Sequence, residues 1–217
     1  MVTVRGSAES VESRLLSGVL RCPCGGRLGP WGHARRRLIA MARRLEEFWP
    51  RRGRCRSCGR THVLLPAGLW SRRRYGAAVI MTVLVLAARA RGGAVARPFA
   101  AAAGGGRQRV PASTARSWRS RFSSHAAGLR EQLARLLPVV SGKEAARPGV
   151  PSGSESGDCL AALEAVTAGL RSRFPAVAAV SAHEVAAHLS GALWLAPSAP
   201  VLGFNTTLLN TDAESPS

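Results

Sequence analysis

Four of the five cysteines in this 217-residue chain stand in two tight pairs, Cys22/Cys24 and Cys55/Cys58, and glycine follows each pair as Cys24-Gly25-Gly26 and Cys58-Gly59. Thiolates are soft donors, and four of them at bond lengths of about 2.3 Å close a tetrahedral Zn²⁺ site that leaves no position for substrate. The glycines fit that chemistry. In a metal knuckle the chain turns back under the ion so that backbone N–H groups aim at sulfur, and glycine reaches the required angles without a side-chain penalty. A redox pair needs only one such clip in a βαβ setting, which is missing here. An iron–sulfur cluster also takes four cysteines, but the paired clips with their glycines point to structural zinc. The first clip, Cys-Pro-Cys, has one spacer residue where two are usual. Either Cys22 and Cys24 both ligate in a tight turn, or His33 or His62 replaces one of them; the spacing favours four cysteines.

A second stretch with chemistry in it is VPASTARSWRSRF, residues 110–122. Ser113 or Thr114 can cap a helix, and Ala115, Trp118 and Phe122 then recur at helical spacing as a buried stripe. Arg116, Ser117, Arg119 and Ser120 remain for contact with a partner. A capped helix with small polar and arginine residues in its first turns has the character of a recognition helix, in which arginine forks onto guanine in the major groove. The preceding RPFAAAAG reads as the first helix of a helix-turn-helix. The turn between them, GGRQR at 105–109, is longer than usual and puts Arg107 and Arg109 where they could touch the nucleic-acid backbone.

Charge points the same way. The formal net charge is +19, and arginine supplies 30 of the 31 basic residues. Residues 1–147 hold 29 of those 31 and only six of the twelve acidic residues, so a basic body leads into a mildly acidic end. A GC-rich genome accounts for arginine over lysine but not for the excess of base over acid. Such a balance calls for a polyanionic partner. Within 21–75, fifteen arginines face only Glu46 and Glu47, with Trp31 and Trp49 among them. Arginine forks suit phosphates and interleaved aromatics can stack on bases, although the simpler expectation is that the two tryptophans form the ribbon's small core.

Catalysis finds little support. A transposase-type nuclease needs a carboxylate trio holding two divalent ions, and the twelve acidic residues leave no strand-rich domain to carry one. The sequence HEVAAH, His183 to His188, spaces its histidines five apart where a zincin needs four; Ser181 and Glu184 instead make a capping box. Cys159 opens an amphipathic helix as a small buried residue. The apolar run at 77–88 is too short for a membrane span, which takes about 20 residues, and no secretory signal is visible, so the expectation is a cytoplasmic, nucleoid-associated protein.

These features require a mainly α chain with a small N-terminal β zinc ribbon and a helix-turn-helix-like helical domain. The expected divisions are a weakly ordered N-terminus (1–20), the zinc ribbon (21–70), the helix-turn-helix-like domain (71–140), a linker (141–158), a C-terminal helical pair (159–200) and a flexible tail (201–217). Inside the ribbon, ARRRLIAM and RTHVLLP read as strands, and ARRLEEF as a helical turn or wide loop. Residues 75–91 favour helix over strand. Further helices are expected at 110–122, at 125–137 with a stop at Pro138, at 159–174 and at 182–195.

Taken together, CPCGGRLGPWGHARRR, RCRSCGRTHVLLP and RPFAA…VPASTARSWRSRF resemble the zinc-ribbon plus helix-turn-helix proteins of actinobacteria, whose ribbon is similar to that of many insertion-sequence transposases. The resemblance covers roughly 21–125 and implies DNA binding without supplying a target. The expected function is therefore binding of duplex DNA, in transcriptional regulation or mobile-element biology, with Zn²⁺ as structural cofactor and no catalysis. Homodimerisation and transposition or transcription partners stay open. The alternative is an RNA-, ribosome- or protein-binding ribbon without sequence-specific DNA recognition.

Overall fold

The computed structural model describes residues 2–41, 45–70, 73–89, 110–141, 152–174 and 179–190. Among them, every strand falls before residue 67 and four of the five helices lie after it.

The ribbon is built on β2 (Leu28–His33), β5 (Arg51–Cys55) and β6 (Thr61–Pro66), which pair antiparallel in the order β2-β5-β6. Between β2 and β5 the chain makes a second, two-stranded sheet from β3 (Arg37–Ala40) and β4 (Leu45–Phe48). The segment ARRLEEF, expected as a helical turn or loop, therefore ends in a strand. Its side chains alternate between exposed and half-buried, the two-residue period of a pleated strand.

The weak patterning of residues 1–20 conceals two elements. Strand β1 (Val2–Val4) adds in parallel to β6, with Val2 opposite Leu64 and Val4 opposite Pro66. Helix α1 (Ala8–Leu16) follows, capped by Ser7, whose hydroxyl accepts from the Ser10 N–H at 3.3 Å. Val11 and Leu15 of α1 pack on Val2, Val4, Leu20, Leu28 and Leu64, and the side chains of Cys22 and Cys55 belong to the same cluster. The ribbon thus has a hydrophobic core, and residues outside the cysteine module supply much of it.

The helical unit begins at Trp70, which is 2% exposed, and its indole N–H donates to the His183 carbonyl at 3.4 Å. Helix α2 (Ala77–Arg89) buries residues on most of its circumference, including Val79, Ile80, Met81, Val83 and Leu84. Such an all-round apolar helix belongs at the centre of a bundle, and α2 packs against each of the three later helices.

Helix α3 (Ala112–Ser141) is one continuous element of 30 residues where two were expected. The stripe Ala115, Trp118 and Phe122 is buried as anticipated and continues through Ala126, Leu129 and Leu133. Ser123 and Ser124 do not interrupt it; the Ser124 hydroxyl donates back to the Arg121 carbonyl at 2.9 Å. Nor does the helix stop at Pro138. Proline deletes one backbone donor and crowds the preceding turn, but Val140 is buried and the Arg173 guanidinium holds the Val139 carbonyl at 2.6 Å. Tertiary contacts thus retain a turn that local preference would lose.

Helix α4 (Glu155–Arg173) lies along α3, burying Cys159, Leu160, Leu163, Val166 and Leu170. It begins near Ser123 and Arg130 of α3 and ends near Val139, so the two run in the same sense. Helix α5 (Ala182–Ser190) starts at the expected capping box, with the Ser181 N–H donating to Glu184 Oε2 at 2.9 Å. Among the described residues no helix is long and apolar enough to cross a membrane.

Candidate metal centre and basic surface

The two cysteine clips meet at one end of the ribbon. The first precedes β2, and the second joins β5 to β6. In the first, the Gly25 N–H donates to the Cys22 carbonyl at 2.8 Å and the Cys22 N–H to the Gly26 carbonyl at 2.8 Å, with Gly25 at φ +86°. In the second, the Gly59 N–H donates to the Cys55 carbonyl at 3.0 Å, with Gly59 at φ +70°. A further backbone bond, from the Arg56 N–H to the Arg27 carbonyl at 3.0 Å, ties the two clips together.

The sulfurs of Cys22, Cys24, Cys55 and Cys58 all lie within 4.8 Å of one another. Cys22 Sγ is 3.7 Å from Cys58 Sγ, and Cys24 Sγ is 3.5 Å from Cys55 Sγ. The edges of a tetrahedron with bonds of about 2.3 Å are about 3.8 Å long. Disulfide sulfurs would sit at about 2.05 Å, and all five cysteines are free thiols. The four sulfurs are therefore close enough to hold one metal ion, and the tight Cys-Pro-Cys turn brings both of its cysteines into the set.

The surroundings suit thiolates. The Cys58 N–H points at Cys55 Sγ from 3.5 Å, and this bond foremost pulls the Cys55 thiol down to about 6. Cys22 lies at the inner side, where burial pushes its thiol up to about 12; ionising it calls for a compensating cation. Gly26 completes the cradle: a Cβ there would stand 2.6 Å from Cys55 Sγ and 2.5 Å from Ser57 Oγ.

The two histidines considered as substitute ligands have other places. His33 is exposed and faces Arg51. His62 is buried, with Nε2 3.2 Å from Cys22 Sγ. It touches one sulfur from outside the four-cysteine set, as an outer-sphere partner would. Burial lowers its pKa and favours the neutral ring, whose Nε2–H would donate to a metal-bound thiolate. Spacing alone could not separate this position from a ligand.

The tryptophans expected in the ribbon's core are on its surface. Trp31 is 49% exposed and Trp49 is 55% exposed, and the Arg54 guanidinium lies 4.5 Å from the centre of the Trp31 ring. The ribbon's core is formed instead with residues of α1 and β1. Elsewhere in the ribbon and just after it, Arg27, Arg35, Arg36, Arg56, Arg60 and Arg74 are exposed.

On α3, Arg116, Ser117, Arg119 and Ser120 are exposed while Ala115 and Trp118 are buried, as the helical spacing requires. The helix starts at Ala112, so Ser113 and Thr114 sit inside its first turn and do not precede it as caps. Arg107 and Arg109, the first helix expected at 97–104 and the turn after it all lie outside the described residues; no helix-turn-helix is seen among those described. The last of the five thiols, Cys159, is fully buried, and burial pushes it up to about 12.

Residues 22–94 match the family described as a domain of unknown function (DUF6431). The match takes in both cysteine clips, the ribbon and α2. No curated protein and no solved structure matches the chain.

Proposed function

We propose that this protein binds nucleic acid, with duplex DNA as its partner, through an arginine-rich ribbon held at one end by a structural Zn²⁺. The observation that carries the reading is the exposure of the ribbon's arginines and tryptophans together, with Arg54 stacked on Trp31 at 4.5 Å. A small domain gains nothing in stability by leaving two indole rings in water, whereas a surface of guanidinium forks and flat rings suits phosphates and bases.

Four cysteines form a closed set typical of structural zinc. The site would lend rigidity, so the role is binding rather than catalysis. The ribbon is read as one of the transposase type, and the wider role as regulation or mobile-element biology at the nucleoid. Base contacts would fall to Arg116, Ser117, Arg119 and Ser120, aided by Arg107, Arg109, Ser113 and Thr114.

A second reading rests on the same tryptophans. Exposed rings stack most readily on unpaired bases, which would favour RNA. The deciding experiment is a selection with zinc-loaded protein on random duplex DNA, run beside one on random single-stranded RNA. A recurring duplex motif is expected. Enrichment of RNA alone, or of nothing, would overturn the DNA reading.

A further inference from the structure

Next to the ribbon's outer face lies a cleft of about 610 Å³ whose two walls both carry arginine. Arg35, Arg36 and Arg37 lead into β3 on one side, and Arg73 and Arg74 stand on the other. The walls are held together by backbone. The Ala40 N–H donates to the Arg74 carbonyl at 2.6 Å and the Gly76 N–H to the Ala40 carbonyl at 2.9 Å, so the chain at 74–76 runs alongside the end of β3. Arg74 is thereby tied to the end of β3 by main-chain bonds, and Arg35 lines the same opening.

Five guanidiniums converge here, and the neighbouring strand β4 offers two carboxylates, Glu46 and Glu47. Glu47 takes Arg36 at 2.8 Å, with both side chains more than half exposed. Burial, and after it the charge of Arg121 on α3, draws the Arg73 guanidinium below the ordinary arginine value. Like charges gathered on a fixed frame repel, and the arrangement is relieved when an anion enters. Planar forks on two walls suit oxygens presented at successive positions, as along a phosphodiester chain.

We propose that this cleft, between Arg35–Arg37 and Arg73–Arg74, seats consecutive backbone phosphates of a bound nucleic acid and so fixes the orientation of the ribbon on it. The proposal rests on the nucleic-acid reading above and adds the place where the backbone lies. These contacts position the strand and carry no sequence information. Tyr75, next to Arg74, packs edge-on against Trp118 of α3 with ring centroids 5.1 Å apart.

The test is the salt dependence of binding to a duplex of about two helical turns, roughly 20 base pairs. The full-length zinc-loaded protein is compared with Arg35→Gln/Arg74→Gln and with Arg89→Gln/Arg135→Gln, which removes the same charge from the helical unit. Each lost phosphate contact reduces the slope of log K against log salt by about 0.9. The cleft variant is expected to have a slope shallower by about 1.8 and the control variant an unchanged one. Arg35→Lys/Arg74→Lys should restore the slope, because it restores the charge; this separates lost contact from misfolding, which thermal unfolding of each variant also reports. Should the parent bind no nucleic acid, both the function and the cleft assignment fall. A parent that binds while the cleft variant keeps its slope would sink the cleft assignment and leave the function standing. A third arm uses inorganic tripolyphosphate. If the cleft variant loses affinity for it while the duplex slope stays at the parental value, the cleft is a small-anion site and the proposal is overturned.

Discussion

Gly26 limits the sulfur cluster sterically. It needs no unusual backbone angle, yet a methyl group there would press on the Cys55 sulfur and the Ser57 hydroxyl. Gly26→Ala should therefore push the two clips apart and cost about 1–3 kcal/mol, the usual penalty for overpacking; a lower midpoint of thermal unfolding and weaker retention of metal would report it. His62 acts through a different route. Its Nε2 touches the Cys22 sulfur at 3.2 Å, and losing an outer-sphere partner of this kind lowers metal affinity about 10–100-fold. His62→Ala should show that loss in competition with a chromophoric chelator while the metal-to-protein ratio at saturation stays at one; an unchanged affinity would make His62 a packing residue only. The thiols themselves should count in three steps. None should react quickly in metal-loaded native protein, the four clip thiols should appear on chelation, and Cys159 should appear only on unfolding. The last is expected because Cys159 is fully buried and its thiol is pushed up to about 12. Four reactive thiols in native protein before any chelator is added would rule out a filled site.

At the scale of elements, α1 and β1 decide whether the cysteine ribbon can stand at all. Leu15 is 1% exposed and shares its cluster with Cys22 and Cys55. Leu15→Ala should cost about 2–5 kcal/mol by emptying that cluster, and the same variant should hold metal less firmly; chemical denaturation followed by metal release would show both. Little of this was legible in advance. The pairing of Val2 with Leu64 joins residues about 60 apart in the chain, and no local periodicity signals a partner so distant. The exposure of Trp31 and Trp49 was hidden for the same reason, since it depends on which face α1 covers. What was legible is local: the clips with their glycines, the strand at Thr61–Pro66, the helix at Ala77–Arg89, the capping box at Ser181 and the buried stripe of α3. The continuity of α3 shows where local rules stop. Pro138 reads as a terminator, but Arg173 and the burial of Val140 hold the helix beyond it. Trp118 lies in that helix's buried stripe near its N-terminal end, edge-on to Tyr75. Trp118→Ala should accordingly cost about 3–5 kcal/mol in stability, with any loss of binding following from that.

For the molecule as a whole, the question is whether its charge reads sequence or merely adheres. The basic residues lie almost entirely before residue 148 and the chain beyond is mildly acidic, so residues 148–217 alone should not bind DNA. If about six phosphates are neutralised, log K should fall with log salt at a slope near −5; a flat response would leave no electrostatic interface. Discrimination must come from elsewhere, and the proposed function assigns it to α3. Arg116 is exposed one turn into the helix, two residues from buried Trp118, so it points away from the core. The Arg74 side chain belongs to the cleft and should meet phosphates. Arg116→Ala should then cost about 1–3 kcal/mol on a selected duplex and little on a scrambled one, whereas Arg74→Ala should weaken both by similar factors. Paired affinities on the two duplexes at one salt concentration measure the difference. Equal losses from Arg116→Ala would move base reading away from the first turns of α3, and Arg107 and Arg109 would become the residues to replace next.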